Sequence, residues 1–157
     1  MSYELEDFKT EEYSIIENGE YEATLDKIDV KTSKNGNKYA TLTYRIRDDV
    51  EQKFQKRILF DNLFKEKDAN GNATEYYNRK RLTKIIKAIF PENTPLKFDT
   101  IDDIFNEIVG HKLIIVVNHS HDDYYDKETN YISYFKPTKH GDKKLDESDV
   151  TDEQVPF

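Results

Sequence analysis

Between Lys38 and Arg47 the chain alternates without a break, with Ala40, Leu42, Tyr44 and Ile46 at even positions and Tyr39, Thr41, Thr43, Arg45 and Arg47 at odd ones. A period of two puts the two sets on opposite faces of an extended strand, so the even set is expected to face a core and the odd set to face outward. Ser33-Lys34-Asn35-Gly36-Asn37 precedes this strand. Asn-Gly accepts positive φ cheaply and closes hairpins, so the strand should pair with the stretch before the turn. That stretch, Glu20 to Lys31, alternates through Tyr21, Ala23 and Leu25 and then changes parity to Ile28 and Val30. The change predicts a bulge near Asp26-Lys27.

After a turn at Asp48-Asp49, a third strand is expected over Lys53 to Phe60, where β-rich Phe54, Ile58, Leu59 and Phe60 mix with Lys56 and Arg57. Lys65 to Thr74 reads as a polar loop. The period then becomes helical at Leu82, Ile85, Ile86 and Ile89, and Pro91 and Pro95 end that helix. Asp99 to Val109 predicts a second helix, capped by Asp99 or Thr100 and stopped by Gly110. Strands follow at His111 to Asn118 and Asn130 to Lys136, separated by the loop Ser120 to Thr129. Three strands, a helical insertion and two more strands is the order of a mainly β, five-stranded OB-fold barrel, although an SH3-like barrel or an α+β sandwich also fits it. Closure removes sheet edges with few residues, which suits a chain with only 36% hydrophobic residues. The OB domain is expected at 19–138, between an acidic extension at 1–18 and a flexible acidic tail at 139–157.

The formal net charge is −8, the wrong sign for a protein that neutralises phosphates. Its distribution changes the inference. Residues 1–22 hold eight acids and one lysine, and residues 146–157 hold five acids and no base, which leaves a net +4 on residues 23–145. Within these, residues 31–57 hold eight bases against three acids. A basic patch therefore sits between acidic ends.

There is no cysteine, which removes disulfides and thiol chemistry and suits a reducing compartment. Met1 to Asp7 lacks the basic and apolar regions of a signal peptide, and the aliphatic run Leu113 to Val117 is too short to span a bilayer. A soluble cytoplasmic protein that does not engage membranes is expected.

Asn18-Gly19-Glu20-Tyr21-Glu22-Ala23, Lys31 to Tyr39 and Leu42-Thr43-Tyr44-Arg45-Ile46 together resemble the amino-terminal pattern of a small family encoded by phages of Gram-positive bacteria. That family is labelled a domain of unknown function and is associated with phage single-stranded DNA-binding proteins. The similarity covers about residues 18 to 136. The tip Asp152-Glu153-Gln154-Val155-Pro156-Phe157 resembles the acidic tip of bacterial single-stranded DNA-binding proteins, with Glu-Gln-Val where the commonest bacterial ending has Asp-Asp-Ile. The resemblance implies a non-enzymatic protein that coats single strands in phage replication or recombination, in the host cytoplasm. It also implies that Asp152, Glu153, Val155, Pro156 and Phe157 recruit replication or recombination proteins.

Sequence-tolerant binding of single strands needs aromatic rings for bases and cations for phosphates. The expected site is the outward face of the second strand and its hairpin, Lys34, Lys38, Tyr39, Arg45 and Arg47, extended by Phe54, Lys56 and Arg57 on the third strand. Tyr124, Tyr125 and Tyr131, at the loop between the last two strands, are candidates to close over a nucleic-acid strand. Tyr134 and Lys136 share one face of the final strand. Each tyrosine alone is explained as an ordinary amphipathic surface residue; their company with the basic segment is what points to binding. Arg79, Lys80, Arg81, Lys84 and Lys87 read first as the solvated face of a helix, with phosphate tracking as the second reading.

No cofactor is expected, and a homo-oligomer is compatible with this reading. Two other classes fit particular features. A protein-interaction module or DNA mimic would use the acidic termini to occupy a basic groove. A metal-dependent hydrolase would centre on His119 and His121, although Tyr124 breaks the His-x-His-x-Asp-His pattern such sites use.

Overall fold

The computed structural model describes residues 15–92, 97–124 and 126–141. The acidic extension, the tail from residue 142 onward with its Asp152 to Phe157 tip, Pro95 and Tyr125 lie outside the described residues. Six strands form one antiparallel sheet in the order β4-β3-β2-β1-β5-β6. They are β1 (Gly19–Thr32), β2 (Lys38–Ile46), β3 (Ile58–Lys67), β4 (Ala73–Tyr77), β5 (Lys112–Asp122) and β6 (Lys127–Lys136). Two helices, α1 (Arg79–Ile89) and α2 (Ile101–Ile108), stand between β4 and β5. No described helix is long and apolar enough to cross a membrane.

The alternation in β2 works as expected, for Ala40, Leu42, Tyr44 and Ile46 are all fully buried. They meet Leu25, Leu63, Leu113, Ile115 and Val117 on the same side of the sheet, and the helices close that side with Leu82, Ile85, Ile86, Ile89, Phe105 and Ile108. Each fully buried aliphatic contributes about 1.5–3 kcal/mol. The parity change in β1 is a register shift between Leu25 and Lys27, so one extra residue, Asp26, is accommodated there. Helix α1 starts at Asn78, whose Oδ1 accepts from the Arg81 amide. Helix α2 starts at Thr100 in a capping box, Thr100 Oγ1 accepting from the Asp103 amide while Asp103 Oδ2 accepts from the Thr100 amide.

The expectation of a closed five-stranded barrel does not hold: the sheet has six strands and is open. β3 and β6 approach each other, yet they are not hydrogen-bonded neighbours. A guanidinium fills the seam. Arg81 of α1 donates from Nε to both Asp61 carboxylate oxygens on β3, at 3.0 and 2.8 Å, and from Nη2 to the Ile132 carbonyl on β6 at 2.6 Å. The same guanidinium lies 5.1 Å from the centre of the Phe135 ring, which packs against Tyr44. Burial lifts the Asp61 carboxyl above its ordinary pKa despite Arg81, and burial likewise pushes the Tyr44 phenol well up.

The third strand is displaced from the expected Lys53 to Phe60. Phe54 and Lys56 adopt positive φ (61° and 71°), which no strand accommodates, and the strand begins at Ile58. The loop is built by Gln52, whose side-chain amide pairs with the Glu22 backbone as a strand neighbour would, Oε1 accepting from Glu22 N and Nε2 donating to Glu22 O, both at 3.0 Å. The expected polar loop Lys65 to Thr74 shrinks to Asp68–Asn72, which joins β3 to β4. It has the hydrogen bonds of the first hairpin: Asp68 N to Asn72 O (2.8 Å) and Gly71 N to Asp68 O (3.0 Å) match Ser33 N to Asn37 O (2.8 Å) and Gly36 N to Ser33 O (3.0 Å). Gly36 and Gly71 take nearly the same positive φ, 82° and 81°. The expected loop Ser120 to Thr129 is mostly strand, since β5 and β6 pair as far as Asp122 and Lys127.

Removing one member of the partly buried Arg81–Asp61 pair leaves the other charge without its partner, so Arg81→Ala is expected to cost about 1–3 kcal/mol of stability. The double change Arg81→Met with Asp61→Leu removes both charges and should cost less than Arg81→Ala alone. Urea unfolding of the three proteins measures both values.

Candidate nucleic-acid interface

Residues directly opposite each other in an antiparallel pair point to the same side. The outward face of β2 can therefore be extended in rows across β1 and β3. Lys31, Tyr39 and Phe64 make one row, Asp29, Thr41 and Asn62 the next, and Lys27, Thr43 and Phe60 the third, with Arg45 opposite Ile58 beyond it. Phe60 and Phe64 are 63% and 60% exposed, so both rings present most of their area to water. Four residues along a strand separate them by about 14 Å. Tyr39 packs on Phe64 with ring centres 5.5 Å apart and planes tilted by 31°. Thr41 Oγ1 donates to Asn62 Oδ1 at 2.8 Å, and Thr43 Oγ1 has no hydrogen-bond partner among the described residues.

The Tyr39–Phe64 pair walls a cleft of about 390 Å³ between the ends of the two Asn-Gly-Asn hairpins, with Lys38, Lys65 and Lys67 on its rim. The arrangement offers ring faces beside ammonium groups, that of Lys65 also lying 5.3 Å from the centre of the Tyr77 ring. It can stack planar ligands and neutralise anions next to them. Lys27 contacts Asp29 at 3.6 Å, while Arg45 binds Asp26 at 2.7 Å with its own side chain 54% exposed. Burial raises the Asp26 pKa, and Arg45 opposes that rise.

Among the residues expected from sequence, Lys38, Tyr39 and Arg45 lie on or beside this face, and Lys34 is exposed in the first hairpin turn. Arg47 does not. Its guanidinium is 4% exposed and binds Asp49 through Nε (2.8 Å) and Nη2 (2.7 Å), the Thr138 hydroxyl (3.2 Å) and the His140 carbonyl (2.8 Å), with Glu22 at 3.5 Å. The hydrogen bond from Arg47 holds the Asp49 carboxyl below its ordinary pKa. The outward parity was right, but the end of β2 is roofed by residues 138–140, so the Arg47 guanidinium is committed to partners within the chain and is a structural clasp. Phe54, Lys56 and Arg57 also leave the expected site, because all three precede β3. Phe54 packs edge-on against Tyr21, with ring centres 6.0 Å apart.

Tyr124 is 87% exposed at the tip of the β5–β6 hairpin. Tyr131, Tyr134 and Lys136 lie on β6, separated from β2 in the sheet by β1 and β5. Lys136 binds Glu20 at 3.1 Å. They are not part of the Tyr39–Phe60–Phe64 face. His119 Nδ1 lies 2.7 Å from Asn18 Oδ1, which ties the segment before β1 to the hairpin, and His121 lies 3.2 Å from Glu128 and 3.0 Å from Asp126 within the hairpin itself. The strongest members of the face, Phe60 and Phe64, were missed. Their shared parity, opposite to that of Leu59 and Leu63, was the available signal.

At the far end of β3, Arg79 binds Glu66 through Nε at 2.9 Å and lies 4.2 Å from the centre of the Tyr76 ring.

The model of a family described as "Protein of unknown function (DUF669)" matches residues 4–148. No curated protein matches the chain.

The side-chain hydrogen bond from Arg79 lowers the Glu66 pKa to about 2. A depressed folded-state value means that the pair's contribution is present above the usual carboxylate range and is lost as pH falls through about 2. Carboxyl carbon NMR should find this titration, and Arg79→Gln should return Glu66 toward its ordinary value.

Proposed function

The chain belongs to this family of unknown function, and we propose that it binds single-stranded DNA without sequence preference, as a binding protein and not an enzyme. The observation that carries the reading is the exposure of Phe60 and Phe64 on one sheet face with Tyr39, beside Lys27, Lys31, Lys38, Lys65 and Lys67. Bases stack on the three rings and the lysines track the backbone. Stacking tolerates any base because every base has a π face. The strand order supports the same reading: with β4 set aside, β3-β2-β1-β5-β6 and the helices before β5 follow the order expected of an OB fold, here opened at the β3–β6 seam. The second and third strands of such a fold form its usual nucleic-acid surface.

In this reading the protein coats transient single strands during phage DNA replication or recombination in the host cytoplasm. The Asp152 to Phe157 tip then recruits replication or recombination proteins. One observation favours a protein partner on the face instead: Ile58, Phe60 and Phe64 are a strip of exposed apolar residues with Asp26 and Asp29 close by. Titration separates the two readings.

Binding of a labelled oligothymidine is expected to exceed binding of duplex, with a slope of log K against log salt of about −2 to −4 if three to five phosphates are neutralised. Phe60→Ala and Phe64→Ala should each cost about 1–3 kcal/mol of binding with little change in slope. Arg47→Ala should lower stability and leave the slope unchanged. Full affinity in the Tyr39, Phe60, Phe64 triple alanine variant, or duplex bound as tightly as oligothymidine, would overturn the proposal.

A further inference from the structure

Helix α1 carries Arg79, Lys80, Arg81, Lys84 and Lys87 and no acid. Three of these cations occupy its first turn, where the helix macrodipole is already positive, so they repel both the dipole and one another. Asp61 and Glu66 offset Arg81 and Arg79. Lys80, Lys84 and Lys87 have no ion-pair partner among the described residues, and all three are exposed. Together with Arg79 they border a second groove, about 540 Å³, whose other wall is Tyr134 and Phe135 of the edge strand β6 and Pro137 just after it. Lys84 Nζ lies 5.7 Å from the centre of the Tyr134 ring. That face of the ring is therefore taken, which disfavours base stacking there. A groove with a cationic wall, an apolar wall and no acidic lining residue suits an acidic peptide with apolar side chains.

We propose that its occupant is the chain's own segment 146–157. This segment has five carboxylates, no base, and Val155, Pro156 and Phe157 to meet the apolar wall. Reach favours binding in cis. Pro137 lines the groove and Gly141 follows four residues later, so the chain passes residue 141 within about 14 Å of the groove wall. The intervening residues 142–145 span that distance again when extended, and tethering raises the effective concentration of the segment to about the millimolar range. The docked segment neutralises the unpaired lysines of α1 and covers Tyr134 and Pro137. It is a partner for this groove and not for the Tyr39–Phe64 face, and its docking requires no nucleic acid.

The test uses the full chain. Because the protein has no cysteine, Ser148→Cys carries a single nitroxide label. Paramagnetic broadening of the Ala88, Tyr134 and Phe135 amides is expected at low salt. It should disappear at about 1 M salt, where the Debye length is about 3 Å, and in the Lys84→Glu, Lys87→Glu variant. Both lysines are exposed, and the salt arm reads the unaltered groove, so a folding defect in the variant does not mimic the result. Broadening centred on Tyr39 and Phe64 would place the segment over the aromatic face and overturn the proposal. So would equal broadening of an isotope-enriched chain without nitroxide when it is mixed with nitroxide-bearing chains, which would assign the docking to a second copy, and so would no broadening at all. Oligothymidine affinity is measured separately: if it fails while the α1–β6 broadening persists, the nucleic-acid reading falls and this one stands.

Discussion

The fold depends on one guanidinium. An antiparallel sheet that curls far enough to bring β3 toward β6 must either zip them together or satisfy their facing groups in another way. Arg81 supplies the second solution, binding a carboxylate on one strand and a carbonyl on the other while its planar face lies against Phe135. Arginine suits this place because its donors fan out in one plane and because it remains charged when partly buried. The position of α1 follows from it, and with α1 the cover over Ile85, Ile86 and Ile89.

The two candidate surfaces are consequences of the same opening. With the helices committed to one side of the sheet, the other side of β1–β2–β3 carries no helix among the described residues, and away from the end roofed by residues 138–140 it exposes Phe60 and Phe64. An apolar face of this kind is unusual for a free surface, since Phe60 and Phe64 keep most of their area in water. The cationic face of α1 is unusual too, because its charge is placed where the helix dipole disfavours it.

Much of this was legible in the residues. The alternation of β2, the bulge in β1, the Thr100 cap and the apolar stripe of α1 are local rules, and local rules can be read from a sequence. The failures come from contacts between distant segments. Arg47 has the parity of a surface residue, and only the return of residues 138–140 buries it. Phe54 has strong β propensity, but Gln52 already occupies the pairing position beside Glu22 and forces the loop into positive φ. The open seam depends on a side chain twenty residues from its partner on β3. The missed strand β4 is different, for its evidence was local: Asp68-Ala69-Asn70-Gly71-Asn72 repeats the Asn-Gly-Asn of the first hairpin at the same loop length.

The Arg47 clasp also determines how the molecule carries load. β6 is an edge strand, and a chain pulled from the end of an edge strand would separate it from β5 one hydrogen bond at a time. Beyond β6, however, Thr138 bonds to Glu22, the Lys139 amide bonds to Glu22 and the His140 carbonyl bonds to Arg47, so the outgoing chain is fastened to β1 and β2 at the centre of the sheet. Tension applied from residues beyond Gly141 must first break several charge-assisted bonds together before any strand can peel. A pull on the chain beyond Gly141 therefore reaches the centre of the sheet before its edge.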